Sequence, residues 1–207
     1  MDPDKAVTMT AEVDAALAGR FRFIFEIDRL KLVLRRNLLT DASRNENSAE
    51  HSWHLAMVAM AMAPHAKEPV DIERVIRILL VHDIVEVDAG DVDIYDVAGR
   101  KAKEAEEVAA ADRIFALLPE PEATELRALW DEYEARATPE ARFAYACDRL
   151  QPLLLNLASG GATWHARGVT SSQVKAINGA MADGLEDVWP IAERLIDEAV
   201  ADGSLNP

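Results

Sequence analysis

The chain has 207 residues, of which 50% are hydrophobic and 29% charged, and its formal net charge is −15. That balance suits one folded domain with a sizeable core and excludes a disordered segment. The acidic surface also works against DNA or RNA as a partner, because polymer binding needs clustered Lys and Arg to displace counterions.

A small anion is still compatible with that charge, since a metal and a few local cations dominate the field inside a cleft. Cys147 stands alone, so no internal disulfide forms, and it reads as a small buried residue rather than a nucleophile. The opening Met1-Asp2-Pro3-Asp4-Lys5 has no basic-then-apolar signal pattern, and no apolar stretch approaches the roughly 20 residues that span a bilayer. The expectation is a cytoplasmic protein with no membrane partner.

Ala, Leu, Glu and Arg are plentiful and few runs alternate with period two, which predicts an all-α fold. Residues 1–9 read as a flexible terminus, and 10–207 as a single domain of about seven helices. An amphipathic pattern runs over 10–36, with Gly19 as a break or bend. The polar segment 40–48 reads as a loop, and Asn47 or Ser48 caps a helix that ends just before Pro64. Asp71 caps a third helix over 72–87, and an acidic loop follows over 88–96. Helices are expected over 97–118 and 122–136, and from Pro139, a good first helical residue, to Gly160-Gly161. Thr170-Ser171-Ser172-Gln173 fits a capping box and opens a long final helix, bent by Pro190. Met57, Met60 and Met62 read as core packing.

Four residues carry the chemistry. His82-Asp83 closes the apolar run Val75-Ile76-Arg77-Ile78-Leu79-Leu80-Val81, where a buried polar pair is costly unless something coordinates it. His51 upstream and Asp148 downstream complete a His, His-Asp, Asp set of the kind that holds a divalent metal. Glu86 lies three residues after Asp83 and four after His82, on the same side of a helix. Imidazole and carboxylate ligands suit Mn, Fe, Co, Ni or Zn, and make Mg a poorer match. Such a site acidifies water for attack on phosphorus.

The order His51, His82-Asp83, Asp148 resembles the HD-domain metal-dependent phosphohydrolases. The surrounding Glu46-Asn47-Ser48-Ala49-Glu50-His51-Ser52, and Glu86-Val87-Asp88-Ala89-Gly90-Asp91 after the His-Asp pair, look like the branch that contains bacterial 5′-deoxynucleotidases and their eukaryotic relatives. The likeness is strongest over about 20–155, with the full ordered series far more specific than the two-letter pair. It implies His51, His82, Asp83 and Asp148 as ligands of one divalent transition metal. It implies Glu86 as the carboxylate that orients or deprotonates the attacking water, and Asp91 as the acid that protonates the leaving 5′ oxygen. An arginine that contacts the substrate phosphate falls on Arg35 or Arg36. The aromatic residue that often follows it in the bacterial enzymes is missing from Arg35-Arg36-Asn37-Leu38.

The implied activity is removal of the 5′-phosphate from small (deoxy)nucleoside monophosphates. The alternatives are an HD-type hydrolase acting on another phosphate ester or a nucleoside triphosphate, and a non-catalytic binding protein with the same fold. Several further residues carry a weaker signal. His54 reads as a structural neighbour of the site. Asp88, Asp93 and Asp96 read as a solvated acidic loop rather than a second metal site. Lys101 and Lys103 read as a solvated helix face, and Arg149 as a brace for a carboxylate. Trp164-His165-Ala166-Arg167 either lines the cleft or covers the core from outside, the latter being favoured. Long apolar helix faces suggest a homodimer.

Overall fold

The computed structural model describes residues 14–207, so the expected flexible terminus lies outside the described residues. Helix α1 (Ala15–Asp28) is capped by Asp14, whose carboxylate accepts from the Leu17 N–H. Gly19 does not break it. A Cβ at Gly19 would meet the Leu117 carbonyl at 2.5 Å, so the glycine instead admits a close approach of the chain. The pattern expected to stay helical to residue 36 stops earlier. A 3₁₀ turn (Arg29–Leu32) leads into strand β1 (Leu34–Leu38), which pairs antiparallel with β2 (Asn45–Asn47). Tertiary pairing overrides helical periodicity here: the Ser48 N–H donates to the Val33 carbonyl and the Leu39 N–H to that of Arg44, both at 3.0 Å. Arg35 and Arg36 therefore sit on a strand, with successive side chains on opposite faces.

Asn47 caps α2 (Ser48–Met62) in a reciprocal box with Glu50. Asp71 caps α3 (Ile72–Val81), whose Val75, Ile78, Leu79 and Val81 are buried. This helix ends at Val81, six residues short of the expected limit. The chain tightens through bonds from Ile84 N–H to Val81 O and from Glu86 N–H to Asp83 O, then makes the single turn α4 (Glu86–Ala89). Helices α5 (Val97–Phe115), α6 (Glu122–Ala135) and α7 (Pro139–Ala158) follow, and α7 begins at Pro139 as expected, with Thr138 as its cap. After Gly160-Gly161 comes α8 (Ala162–Arg167).

The expected last helix is two: α9 (Ser171–Asn178), opened by the capping box at Thr170, and α10 (Trp189–Ala201). A 3₁₀ segment (Gly179–Asp183) separates them, and Pro190 occupies the first turn of α10, where its missing N–H costs nothing. The fold is all-α apart from the two short strands, with more helices than the seven expected.

Helices α2, α3 and α7 pack on one another, and one apolar cluster runs from Leu30 to Leu205 around them. Leu79 is fully enclosed within it. Leu79→Ala is expected to destabilise the protein by about 2–5 kcal/mol, read from urea unfolding. Met57 and Met60 are 47% and 54% exposed, so they face outward and are not core. No helix among the described residues is long and apolar enough to cross a membrane.

Candidate metal centre

Each of the three central helices delivers one part of the site. The first turn of α2 carries His51, the end of α3 presents His82 and Asp83, and the middle of α7 supplies Asp148. One donor atom from each of His51, His82 and Asp83 lies within 4.8 Å of the others. Asp148 closes the group from α7, with Oδ1 2.9 Å from His51 Nε2 and 4.0 Å from His82 Nε2.

The protons of both imidazoles can be placed from their partners. The Nδ1–H of His82 donates to the Leu79 carbonyl at 2.8 Å, which leaves Nε2 unprotonated. That buried nitrogen has no hydrogen-bond partner and instead faces Asp83 Oδ1 at 3.1 Å. A lone pair aimed at carboxylate oxygens is repulsive unless a cation lies between them. For His51, Nδ1 faces two acceptors, Gln151 Oε1 at 3.1 Å and Glu46 Oε2 at 3.3 Å, so it is the donor. The Gln151 amide is oriented by its other end, whose Nε2 donates to Glu46 Oε1 and to His54 Nδ1. His51 Nε2 is thereby turned towards Asp148 and the centre. Two imidazole nitrogens and two carboxylates converging in a buried cluster fit a divalent cation.

Asp148 is held on both sides. The Tyr133 hydroxyl donates to Oδ2 at 2.7 Å, and Arg149 pairs with the same oxygen. Against the effect of burial, Arg149 first and His51 next keep the Asp148 carboxyl well below the usual carboxylate range. Burial lowers His82, whereas His51 is raised because its bonds to Asp148 and Glu46 outweigh burial and the nearby Arg35. Arg35 is 9% exposed and donates from Nη1 to Asp83 Oδ2 at 2.8 Å. Burial opposes its charge, but the carboxylates of Asp83, Glu86, Asp148 and Asp91 prevail and strengthen its hold on the proton.

Glu86 accepts a 2.5 Å hydrogen bond from the Ser48 hydroxyl. Burial, and then the Asp83 charge, raise its carboxyl well above the usual range. A native carboxyl that keeps its proton to higher pH than the unfolded one loses stability as the unfolded form ionises. Metal-free protein is therefore expected to lose stability as pH rises above the ordinary value of 4.5, until Glu86 itself ionises. Glu86→Gln removes that slope, so the melting temperature of the variant in chelator gains on the parent as pH rises above 4.5.

A cavity of about 520 Å³ opens over the centre. Asp83, Glu86, Asp91, Asp148 and both Arg35 and Arg36 line it. Burial raises the Asp91 carboxyl, with Arg35 opposing and Asp83 adding. Arg36 is exposed and lies on the outer part of the wall. Lys101, read from sequence as solvated, lines the cavity as well. Trp164 is buried rather than covering the core from outside, and Thr163, Trp164 and Arg167 line the same cavity.

The acidic loop is occupied otherwise: Asp88 and Asp93 pair with Arg113 and Arg167, and Asp96 caps α5. Burial raises the Cys147 thiol, as expected of an inert core residue. The residues sequence reasoning missed are Glu46, Gln151 and Tyr133, which hold the candidate ligands in place. Gln151 follows Asp148 by one helical turn, a usable signal, whereas Tyr133 reaches the site from α6 with no local pattern.

Residues 27–189 match the family described as HD domain, and the chain belongs to that family. Among its relatives, the 5′-deoxynucleotidase HDDC2 of Mus musculus is 32% identical over 66% of this chain and 68% of its own length. The protein of the same name from Xenopus laevis is 30% identical over 70% of this chain and 73% of its own. The crystal structure of a "Predicted metal-dependent phosphohydrolase" from Magnetospirillum magnetotacticum superposes with a TM-score of 0.88 at 50% identity, over 94% of this chain and all of that one. The PH0347 protein of Pyrococcus horikoshii, at 20% identity and a TM-score of 0.61, shares the fold.

Proposed function

We propose that the protein is a metal-dependent 5′-deoxynucleotidase, a phosphomonoesterase acting on small deoxynucleoside monophosphates. The observation that carries this reading is His82 Nε2, buried without a partner and facing the carboxylates of Asp83 and Asp148, both of which line a nucleotide-sized cavity. The names of the relatives support the substrate class. His51, His82, Asp83 and Asp148 are the ligands, and their mixed nitrogen and oxygen set favours Mn, Co, Fe, Ni or Zn over Mg. Bound there, a divalent cation supplies a Lewis acid that acidifies water, neutralises phosphoryl oxygens and lowers neighbouring carboxylates.

Arg35, buried and turned towards Asp83, supplies charge to the phosphoryl oxygens. The Ser48 hydroxyl fixes one oxygen of Glu86, whose carboxylate takes the proton of the attacking water. As the bond from phosphorus to the 5′ oxygen breaks, Asp91 delivers a proton to that oxygen. Asp91 lines the same cavity as Asp83 and Glu86, which supports that role. Inorganic phosphate and a nucleoside leave.

The test is a panel of deoxynucleoside 5′-monophosphates, nucleoside triphosphates and non-nucleotide phosphate esters, assayed with each metal. Phosphate release confined to the monophosphates is the expected outcome. Pyrophosphate release, or turnover of non-nucleotides alone, would assign the centre to a different HD-type hydrolase. No turnover at all with a loaded centre would favour a binding protein.

The same reading places residues 10–207 in one domain, supported by the continuous apolar cluster and the extent of the family match. It also places the protein in the cytoplasm as a homodimer. Exposed Phe21, Ile24 and Phe25 on α1 and Trp53, Met57 and Met60 on α2 supply apolar surface for a partner copy. Light scattering after size exclusion is expected to give twice the chain mass, and a monomer at micromolar concentration would rule the dimer out.

A further inference from the structure

Helix α6 carries none of the four candidate ligands, yet its Tyr133 touches two of them. The Tyr133 ring meets that of His82 edge-on, with centroids 4.9 Å apart and planes at 63°. Its hydroxyl donates to Asp148 Oδ2 at 2.7 Å, which is its one hydrogen bond among the described residues. The side chain is buried and lines the cavity over the centre. A phenylalanine would keep the ring contact and fill the same space, so the hydroxyl bears on Asp148 alone.

Arg149 pairs with the same carboxylate oxygen. Phenol and guanidinium together take both lone pairs of Oδ2. Oδ1 is the oxygen left over, and it lies 2.9 Å from His51 Nε2 and 4.0 Å from His82 Nε2. Asp83 is divided in the same manner. Its Oδ2 accepts from Arg35 at 2.8 Å, and its Oδ1 lies 3.1 Å from His82 Nε2. A catalytic metal site differs from a closed structural one in keeping a position open. A carboxylate that turned both oxygens to the ion would take up that position.

We propose that Tyr133 is a positioning residue: with Arg149 it confines Asp148 to one donor oxygen, and so keeps room at the centre for an oxygen of the substrate phosphate. The hydroxyl acts through Asp148 and touches no reacting atom. This rests on the metal-centre reading of His51, His82, Asp83 and Asp148. Removing the hydroxyl frees a lone pair of Oδ2 and makes the carboxylate a stronger donor. Losing an outer partner of a ligand commonly weakens metal binding. Here the opposite follows, because the hydroxyl limits the ligand: metal is held at least as tightly, and phosphate less well.

The test compares the metal-stripped parent with Tyr133→Phe. Cobalt(II) binding is followed in the visible band of the bound ion, and each loaded protein is then titrated with inorganic phosphate. Tyr133→Phe is expected to take up one ion per chain with an affinity equal to the parent's or tighter. Its affinity for phosphate is expected to fall about tenfold, and kcat/KM for deoxyadenosine 5′-monophosphate to fall with it. A cooperative melt in chelator checks that the variant is folded. Cobalt held more weakly than by the parent would overturn the proposal, since the hydroxyl would then only support the ligand. The parent's behaviour separates the two readings. No cobalt uptake by the parent sinks the metal centre and this proposal with it. Uptake by both proteins with equal affinity for phosphate sinks this proposal alone.

Discussion

His82→Ala is expected to leave the protein folded, strip it of metal and reduce kcat/KM for 5′-phosphate release by more than the 10- to 100-fold typical of losing an outer hydrogen-bond partner of a ligand. The expectation follows from the state of this one ring. Its Nδ1–H is committed to the Leu79 carbonyl, so Nε2 has no proton to offer and no donor to receive. If His82 were only a satisfied core histidine, its removal would cost packing and leave metal content unchanged. Metal analysis of the purified variant beside its thermal melting temperature separates the two. Loss of metal with a retained cooperative melt supports a ligand, and retained metal argues against one.

The second large effect is expected at Glu86. Glu86→Gln keeps the size of the side chain and its bond to the Ser48 hydroxyl, and removes the carboxylate that accepts a proton. The expected result is a fall in kcat of about 10²- to 10⁴-fold with metal content and KM little changed. A variant that bound less metal would place Glu86 among the ligands. One with full activity would remove it from the chemistry.

These residues were legible in the chain to different degrees. His51, His82, Asp83 and Asp148 stand out because metal chemistry restricts residue types, and because the ordered series is far more specific than the His-Asp pair alone. Their convergence depends on α2, α3 and α7 crossing, which helical periodicity alone does not encode. The caps at Asn47, Asp71, Thr138 and Thr170 were readable because each side chain acts on backbone within three residues of itself.

Where tertiary contacts decide, the pattern misleads. The run through Leu30, Leu32 and Val33 has helical spacing, yet the chain turns into β1 because residues 45–47 are there to pair with it. Met57 and Met60 have core chemistry but point outward. The last helix divides because Gly179–Asp183 forms a 3₁₀ segment and Pro190 starts a helix more easily than it continues one. The roles of Gln151 and Glu46 were not read from the sequence, although Gln151 lies one turn after Asp148 and Glu46 opens the segment around His51, since a buried amide and a buried carboxylate acquire meaning only from the histidine they orient.

The assignment as a metal-dependent phosphohydrolase rests on the four-residue cluster. It is tested most directly by phosphate release from deoxyadenosine 5′-monophosphate, measured on chelator-treated protein before and after titration with cobalt or manganese. Negligible release is expected without metal, with recovery that saturates as one ion per chain is taken up. Undiminished release from protein shown to hold no metal, or stoichiometric uptake with no release from any nucleotide, would contradict it.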